Sequence, residues 1–134
     1  MAKRWEYYQP NDLDLKDEYG DCTIRALSKV FNVSWIDAYE MTVPITRKYQ
    51  ILPNFFFYAK HSDTIADTLG LQRGKITNKR GTTRPTVDEF AKSHPNGTYL
   101  LKVAHHVVAC VDGKYYDTWD SGRKSLYGYY ERVV

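Results

Sequence analysis

The chain has 134 residues, of which 43% are apolar and 26% are charged, and its net charge is +3. This length predicts a single domain over residues 1–134, and the composition excludes an intrinsically disordered chain. The basic residues are dispersed, with their densest run at residues 75–84. Nucleic acid is therefore not the expected partner, because phosphate binding needs a denser basic patch.

Two cysteines, Cys22 and Cys110, are too few for a disulfide framework. The chain opens with Met-Ala-Lys-Arg-Trp-Glu, which is not of signal-peptide type, and no stretch approaches the roughly 18 apolar residues of a membrane span. We therefore expect a cytoplasmic protein with two free thiols and no membrane association.

The first two thirds of the chain predict mainly helices. Residues 1–21 contain several turn-forming residues and indicate an irregular arm. Residues 22–31 carry apolar side chains at helical spacing, with Asp21 in position to cap the helix and Cys22 in its first turn. Further helices are expected from Trp35 to about Thr42 after the cap Ser34, over 58–69, and over 87–93 within a capping box that starts at Thr86. Residues 71–85 are expected to form a strand or a loop.

The last third of the chain predicts an antiparallel sheet. Asp112-Gly113 is a strong hairpin signal between two β-branched or aromatic segments. The expected strands cover residues 98–103, 107–111, 115–119 and 126–134. Helices followed by an antiparallel meander indicate an α+β domain.

Cys22 is the first candidate for chemistry. The free N–H groups at the start of a helix favour an anion, so they lower the pKa of a thiol there and raise its thiolate fraction. The same N–H groups can receive the oxyanion of an acyl-transfer intermediate.

A histidine and a carboxylate are placed to assist such a cysteine. His105 and His106 precede an apolar strand, and imidazole is the usual base for a cysteine nucleophile. With the turn at residues 112–113, Asp117 becomes a diagonal neighbour of His106, about 7–8 Å away at the backbone. Cys22, His106 and Asp117 are thus the predicted catalytic residues, with His105 and Asp120 as the alternatives to the last two.

Two segments, GDCTIRALSKVF (20–31) and HVVACVDGKYYDTWD (106–120), together resemble the papain-like cysteine peptidases. The nearest subset is the bacteriocin-processing-type peptidases and small phage and bacterial domains with a "GDC-x-IRA" opening and a following tryptophan like Trp35. The resemblance implies a papain-like fold with N-terminal helices packed on a C-terminal antiparallel sheet. It also implies a phage protein acting in the host cytoplasm, with Cys22 as nucleophile, His106 as base and Asp117 as the orienting residue.

One departure from that family concerns the oxyanion. Papain-like enzymes usually carry a glutamine or asparagine shortly before the cysteine, and residues 16–21 contain neither. Gln9 or Asn11 could supply the amide by folding back. Asp17 and Glu18 would disfavour a thiolate close to them.

Other residues have simpler interpretations. Cys110 is expected in the core, and a zinc site with His106 is excluded because four residues along a strand span about 13 Å. No metal or cofactor is expected. His61 and His94 are interpreted as surface residues, and the tyrosine-rich tail as an edge strand covering the core or as a recognition surface.

Three functions remain open from the sequence. The first is a cysteine-dependent hydrolase or acyl-transferase acting on a peptide or isopeptide bond of a protein or peptide substrate. The second is a non-catalytic protein on the same scaffold, such as a phage inhibitor of a host protein. The third is a nucleic-acid-associated accessory protein that uses the basic segment 75–84.

Overall fold

The computed structural model describes residues 3–13, 20–76 and 84–133. The helices in these ranges are α1 (Cys22–Phe31), α2 (Trp35–Tyr49), α3 (Ser62–Thr68) and α4 (Val87–Ser93), with a 3-10 turn at Pro53–Phe55. The strands are β1 (Trp5–Tyr7), β2 (Leu71–Arg73), β3 (Thr98–Val103), β4 (His106–Val111), β5 (Lys114–Asp117) and β6 (Gly128–Arg132). They form one mixed sheet in the order β1-β5-β4-β3-β6-β2. In the described ranges, no helix has the length and apolar character needed to cross a membrane.

The predicted hairpin between β4 and β5 is confirmed. Val111 pairs with Lys114 and Cys110 with Tyr115, so Asp112 and Gly113 form a two-residue turn. Both turn residues have positive φ angles, 49° and 81°. Such angles are what the favoured hairpin turns require, and Asp-Gly adopts them readily.

The predicted antiparallel meander is wrong in two respects. The last strand, β6, pairs with β3 and β2 rather than continuing beside β5, so it lies inside the sheet and is not the expected edge strand. At the opposite end, β1 pairs with β5 in parallel. The N-terminal arm, which the sequence indicated as irregular, therefore contributes an edge strand. This strand has only three residues, which are too few to show a strand pattern in the sequence.

The sheet has a core on each face. Alternating side chains of β3 and β4 point to opposite sides, so Leu100 and Val107 pack with α1 while Leu101 and Val108 pack with α4. These residues are nearly completely buried, which explains why the two strands read as continuous apolar runs. Among the helices of the described ranges, α4 thus covers the face opposite to the other three, an arrangement that the expected N-terminal helical layer did not include.

Helix α2 continues past the point where its end was predicted. Pro44 lies inside the helix and removes one backbone hydrogen bond there. The buried residues Ala38, Thr42 and Ile45 follow one face of the helix on both sides of the proline, so packing stabilises the helix across it.

The other predicted helix boundaries have mixed outcomes. The caps Ser34 and Thr86 accept hydrogen bonds from Asp37 and Glu89 as predicted, and the capping box at Thr86 is complete. The helix expected over residues 58–69 is shorter and begins at Ser62. In the segment 71–85, a three-residue strand is followed by residues of which 77–83 lie outside the described ranges.

Candidate active site

Helix α1 brings Cys22 to the beginning of β4. Its buried residues Ile24 and Leu27 pack against Val107 and Ala109 of that strand. The helix ends at Asn32, whose left-handed backbone conformation closes the last turn. Cys22 is the first residue of the helix, and its side chain is half-buried at the end of the sheet where β4 begins.

Asp21 does not cap this helix, contrary to the prediction. Its side chain makes no capping hydrogen bond. Instead its carboxylate accepts a hydrogen bond from the Trp35 indole N–H at 3.0 Å and forms a close ion pair with Arg25, four residues along the helix. The first N–H groups of α1 are therefore not occupied by this carboxylate and keep their preference for an anion.

The hairpin places Asp117 against His106, as its register predicted. Asp117 Oδ2 lies 2.6 Å from His106 Nε2, and the Asp117 side chain is almost completely buried while that of His106 is mostly buried. The structure therefore joins the two predicted residues by a short, charge-assisted hydrogen bond. Because Nε2 faces the carboxylate, Nδ1 is the ring nitrogen that remains for Cys22.

Asp117 is held from several sides. Its carboxylate accepts hydrogen bonds from the Thr118 N–H at 2.8 Å and from the Ser121 hydroxyl at 3.0 Å. Its backbone carbonyl accepts from the Tyr8 N–H at 3.0 Å and from the Trp5 indole at 3.2 Å. The N-terminal arm, which the sequence did not link to the site, thus fixes the backbone of the carboxylate residue.

The thiol of Cys22 and the ring of His106 are close enough for each to shift the pKa of the other. Burial alone would raise the pKa of Cys22, but the hydrogen bond and charge of His106, the Val107 N–H and the charge of Arg25 together lower it below its usual range. Burial would likewise lower the pKa of His106, yet its hydrogen bonds to Asp117 and Cys22 raise it to about 9. Both shifts favour a thiolate–imidazolium pair.

A second ion pair, between Arg25 and Asp21, lies next to the pair formed by His106 and Asp117. Arg25 is mostly buried between two carboxylates, that of Asp21 and that of Asp117, whose Oδ1 is 3.6 Å from the guanidinium. Four charges of alternating sign therefore lead from Asp21 through Arg25 and Asp117 to His106. The GDC-x-IRA motif contains Asp21 and Arg25, but no pattern in the sequence indicated that Arg25 contacts the predicted catalytic carboxylate.

Two aromatic side chains hold His106 in place. The Trp119 ring packs against the imidazole with ring centres 5.1 Å apart. The Tyr58 hydroxyl accepts a hydrogen bond from the His106 N–H at 3.0 Å and lies against the carbonyl oxygens of Val103 and His106. Tyr58 therefore fixes the tight turn between β3 and β4 at the backbone of His106.

Asn54 is a site residue that the sequence did not predict. It lies in the 3-10 turn after α2, and its Oδ1 accepts a hydrogen bond from the Cys22 thiol at 3.5 Å. The side-chain oxygens of the two amides that were considered, Gln9 and Asn11, accept backbone N–H groups within their own arm. No local pattern could have identified Asn54, because it is 32 residues from Cys22.

The alternative site residues lie elsewhere. His105 is exposed in the turn before β4 with a left-handed φ of 54°. The carboxylate of Asp120 accepts hydrogen bonds from the Tyr115 hydroxyl and the Gly122 N–H. Cys110 is completely buried, as predicted, and burial raises its pKa to about 12.

The two remaining histidines differ from each other. His61 is exposed and lies beside the Tyr49 ring. His94 is half-buried at the surface, where it stacks on Phe90 at 3.7 Å. An aromatic cluster around Phe90 provides this packing, and its residues come from three separate elements.

Comparisons with known proteins gave no match: no family model, no curated protein and no solved structure is similar to the chain at a significant level. The chemistry of the site is therefore argued from its own geometry.

Proposed function

We propose that this chain is a papain-like cysteine-dependent hydrolase or acyl-transferase that acts on a peptide or isopeptide bond. The observation that carries the proposal is the 2.6 Å contact between His106 Nε2 and Asp117 Oδ2, next to a cysteine whose pKa the same imidazole lowers. A nucleophile, a base and a residue that orients the base are the recurring parts of acyl-transfer sites on unrelated folds. The two segments that resemble small phage and bacterial domains contain these three residues.

The proposed reaction begins with attack of the Cys22 thiolate on the substrate carbonyl carbon. A carbon–sulfur bond forms, and the carbonyl π electrons move to oxygen. Collapse of this intermediate expels the amine, which takes its proton from His106, and leaves a thioester on Cys22. Water or an acceptor amine then attacks the thioester, gives its proton to His106, and releases the thiolate.

The lowered pKa of Cys22 and the raised pKa of His106 suit these steps. A lower pKa raises the fraction of Cys22 present as the thiolate at neutral pH, and the imidazolium holds the proton that the leaving group needs. Asp117 keeps the ring oriented and stabilises its positive charge.

Thiol alkylation tests the proposal without a known substrate. At pH 7 only about one Cys110 side chain in 10⁵ is a thiolate, since its pKa is about 12. We expect iodoacetamide to label Cys22 first in the native protein, as measured by peptide mass spectrometry over time. His106→Ala should slow the labelling of Cys22, and His105→Ala, the adjacent exposed histidine, should not. Equal labelling of the two cysteines would exclude a nucleophilic Cys22.

A non-catalytic binding protein on the same scaffold is the second candidate. Exposed aromatic side chains adjoin the site and favour this candidate: Phe55 follows Asn54 and is 57% exposed, and Trp119 packs on His106 and is 41% exposed. Such side chains are typical of contact surfaces. A pull-down from host lysate with the wild type and Cys22→Ser separates the candidates, because a partner and effect that both survive the substitution would indicate binding alone.

A further inference from the structure

Asn54 is in contact with the nucleophile but has no role in the reaction described so far. We propose that the Asn54 carboxamide is a catalytic residue that donates a hydrogen bond from Nδ2 to the oxyanion, together with the backbone N–H of Cys22. This inference rests on the proposed function and completes it, because the segment before the cysteine contains no amide that could serve.

The position of Asn54 is well fixed. It lies in the 3-10 turn Pro53–Phe55, and the next two residues, Phe56 and Phe57, are almost completely buried in the core. On its other side is Gly20, where an added Cβ atom would lie 3.4 Å from Asn54 Nδ2. A side chain held between an anchored turn and a close backbone loses little entropy when it binds an intermediate.

The protonation state of Cys22 determines which end of the carboxamide faces the sulfur. Oδ1 is an acceptor 3.5 Å from Sγ, which suits a neutral thiol. A thiolate offers no proton and repels an oxygen. Rotation of the carboxamide by 180° exchanges Oδ1 for Nδ2 with little change in shape, so the same residue presents a donor once the sulfur is ionised.

An oxyanion forms next to this donor. In the tetrahedral intermediate, the negatively charged oxygen is bonded to the carbon that carries Sγ, so it lies within a few ångströms of any group in contact with the sulfur. The N–H of Cys22, at the first position of α1, has no partner within the helix. Asn54 and this N–H are the two donors of the proposed site, which is of the kind that stabilises acyl-transfer intermediates.

Two reactions of the same thiolate separate the stabilisation of an oxyanion from the reactivity of the sulfur itself. Acylation of Cys22 by p-nitrophenyl acetate passes through an oxyanion and releases p-nitrophenolate, which needs no proton. Alkylation by iodoacetamide displaces iodide and forms no oxyanion. One oxyanion donor is typically worth about 10²–10³ in rate. We therefore expect Asn54→Ala to slow acylation at least about ten-fold while alkylation changes little. Asn54→Gln should recover part of the acylation rate.

Asn11→Ala is the matched control, because it removes an amide whose oxygen accepts a backbone N–H of its own arm. If Asn54→Ala slowed acylation and alkylation equally, Asn54 would act on the reactivity of the thiolate and not on the oxyanion, and the inference would be overturned. The inference would also be overturned if neither reaction slowed, or if Asn11→Ala had the larger effect. Thermal melting of each variant checks that it folds, and Asn54→Gln provides the comparison if Asn54→Ala does not. A wild-type Cys22 that reacts no faster than Cys110 would instead refute the proposed function itself.

Discussion

Replacing Asp117 by asparagine removes one charge from the site while keeping the shape of the side chain. The bond from His106 Nε2 to Asp117 Oδ2 is 2.6 Å long, between side chains that are 12% and 3% exposed. A charge-assisted hydrogen bond of this kind is worth about 1.5–3 kcal/mol. Since 1.36 kcal/mol corresponds to one pH unit, we expect the pKa of His106 to fall from about 9 to between about 7 and 8.

The titration of His106 measures this change directly. Its ring proton resonances, assigned by their loss in His106→Gln, are followed by NMR from pH 5 to pH 10 in the wild type and in Asp117→Asn. Asp120→Asn is the matched control, because it makes the same substitution three residues away in a carboxylate that binds Tyr115. An unchanged His106 pKa in Asp117→Asn, or an equal fall in both variants, would refute the reasoning.

Three further predictions concern the reaction and the scaffold. Peptide-bond cleavage should decline as pH rises through about 9, because His106 then loses the proton that the leaving amine takes; a rate still rising above that pH contradicts the assignment. Leu27→Ala should lower the free energy of unfolding by about 2–5 kcal/mol in urea titrations, since Leu27 is completely buried. A loss below about 1 kcal/mol would contradict this and would mean that neighbouring side chains fill the cavity. Gly122→Ala should lower the melting temperature, because its Cβ would lie 2.2 Å from the hydroxyl of Tyr115; Gly128→Ala, with open space around it, is the control.

Much of the candidate site could be predicted because it depends on local rules. The Asp112-Gly113 turn determines which residues of β4 and β5 face each other, and counting outward from it places Asp117 diagonal to His106. Cys22 follows from the apolar spacing of α1, and the capping box at Thr86 from four residues in a row. In each case the deciding interactions lie within a dozen residues of one another.

Contacts between distant segments could not be predicted from the sequence. Trp5–Tyr7 is too short to show a strand pattern, yet it pairs with β5, and Trp5 together with the following Tyr8 fixes the backbone of Asp117. The crossing of β6 to β3 places the last strand inside the sheet, whereas sequence order favoured the neighbour of β5. Asn54 reaches Cys22 through a turn whose sequence carries no signal of its own.

The acidic residue next to the cysteine illustrates why sequence proximity misleads in electrostatics. Asp21 precedes Cys22 directly, so by position alone its charge would oppose a thiolate. Its carboxylate is bound by the Arg25 guanidinium and the Trp35 indole, and the same guanidinium lies 3.6 Å from Asp117. The two carboxylates are therefore offset by Arg25 and the imidazolium of His106. Since a mostly buried charge acts strongly on its near neighbours, this alternation of charges favours an anionic sulfur beside an aspartate. The GDC-x-IRA opening supplies Asp21 and Arg25, while Asp117 and His106 come from the β4–β5 hairpin.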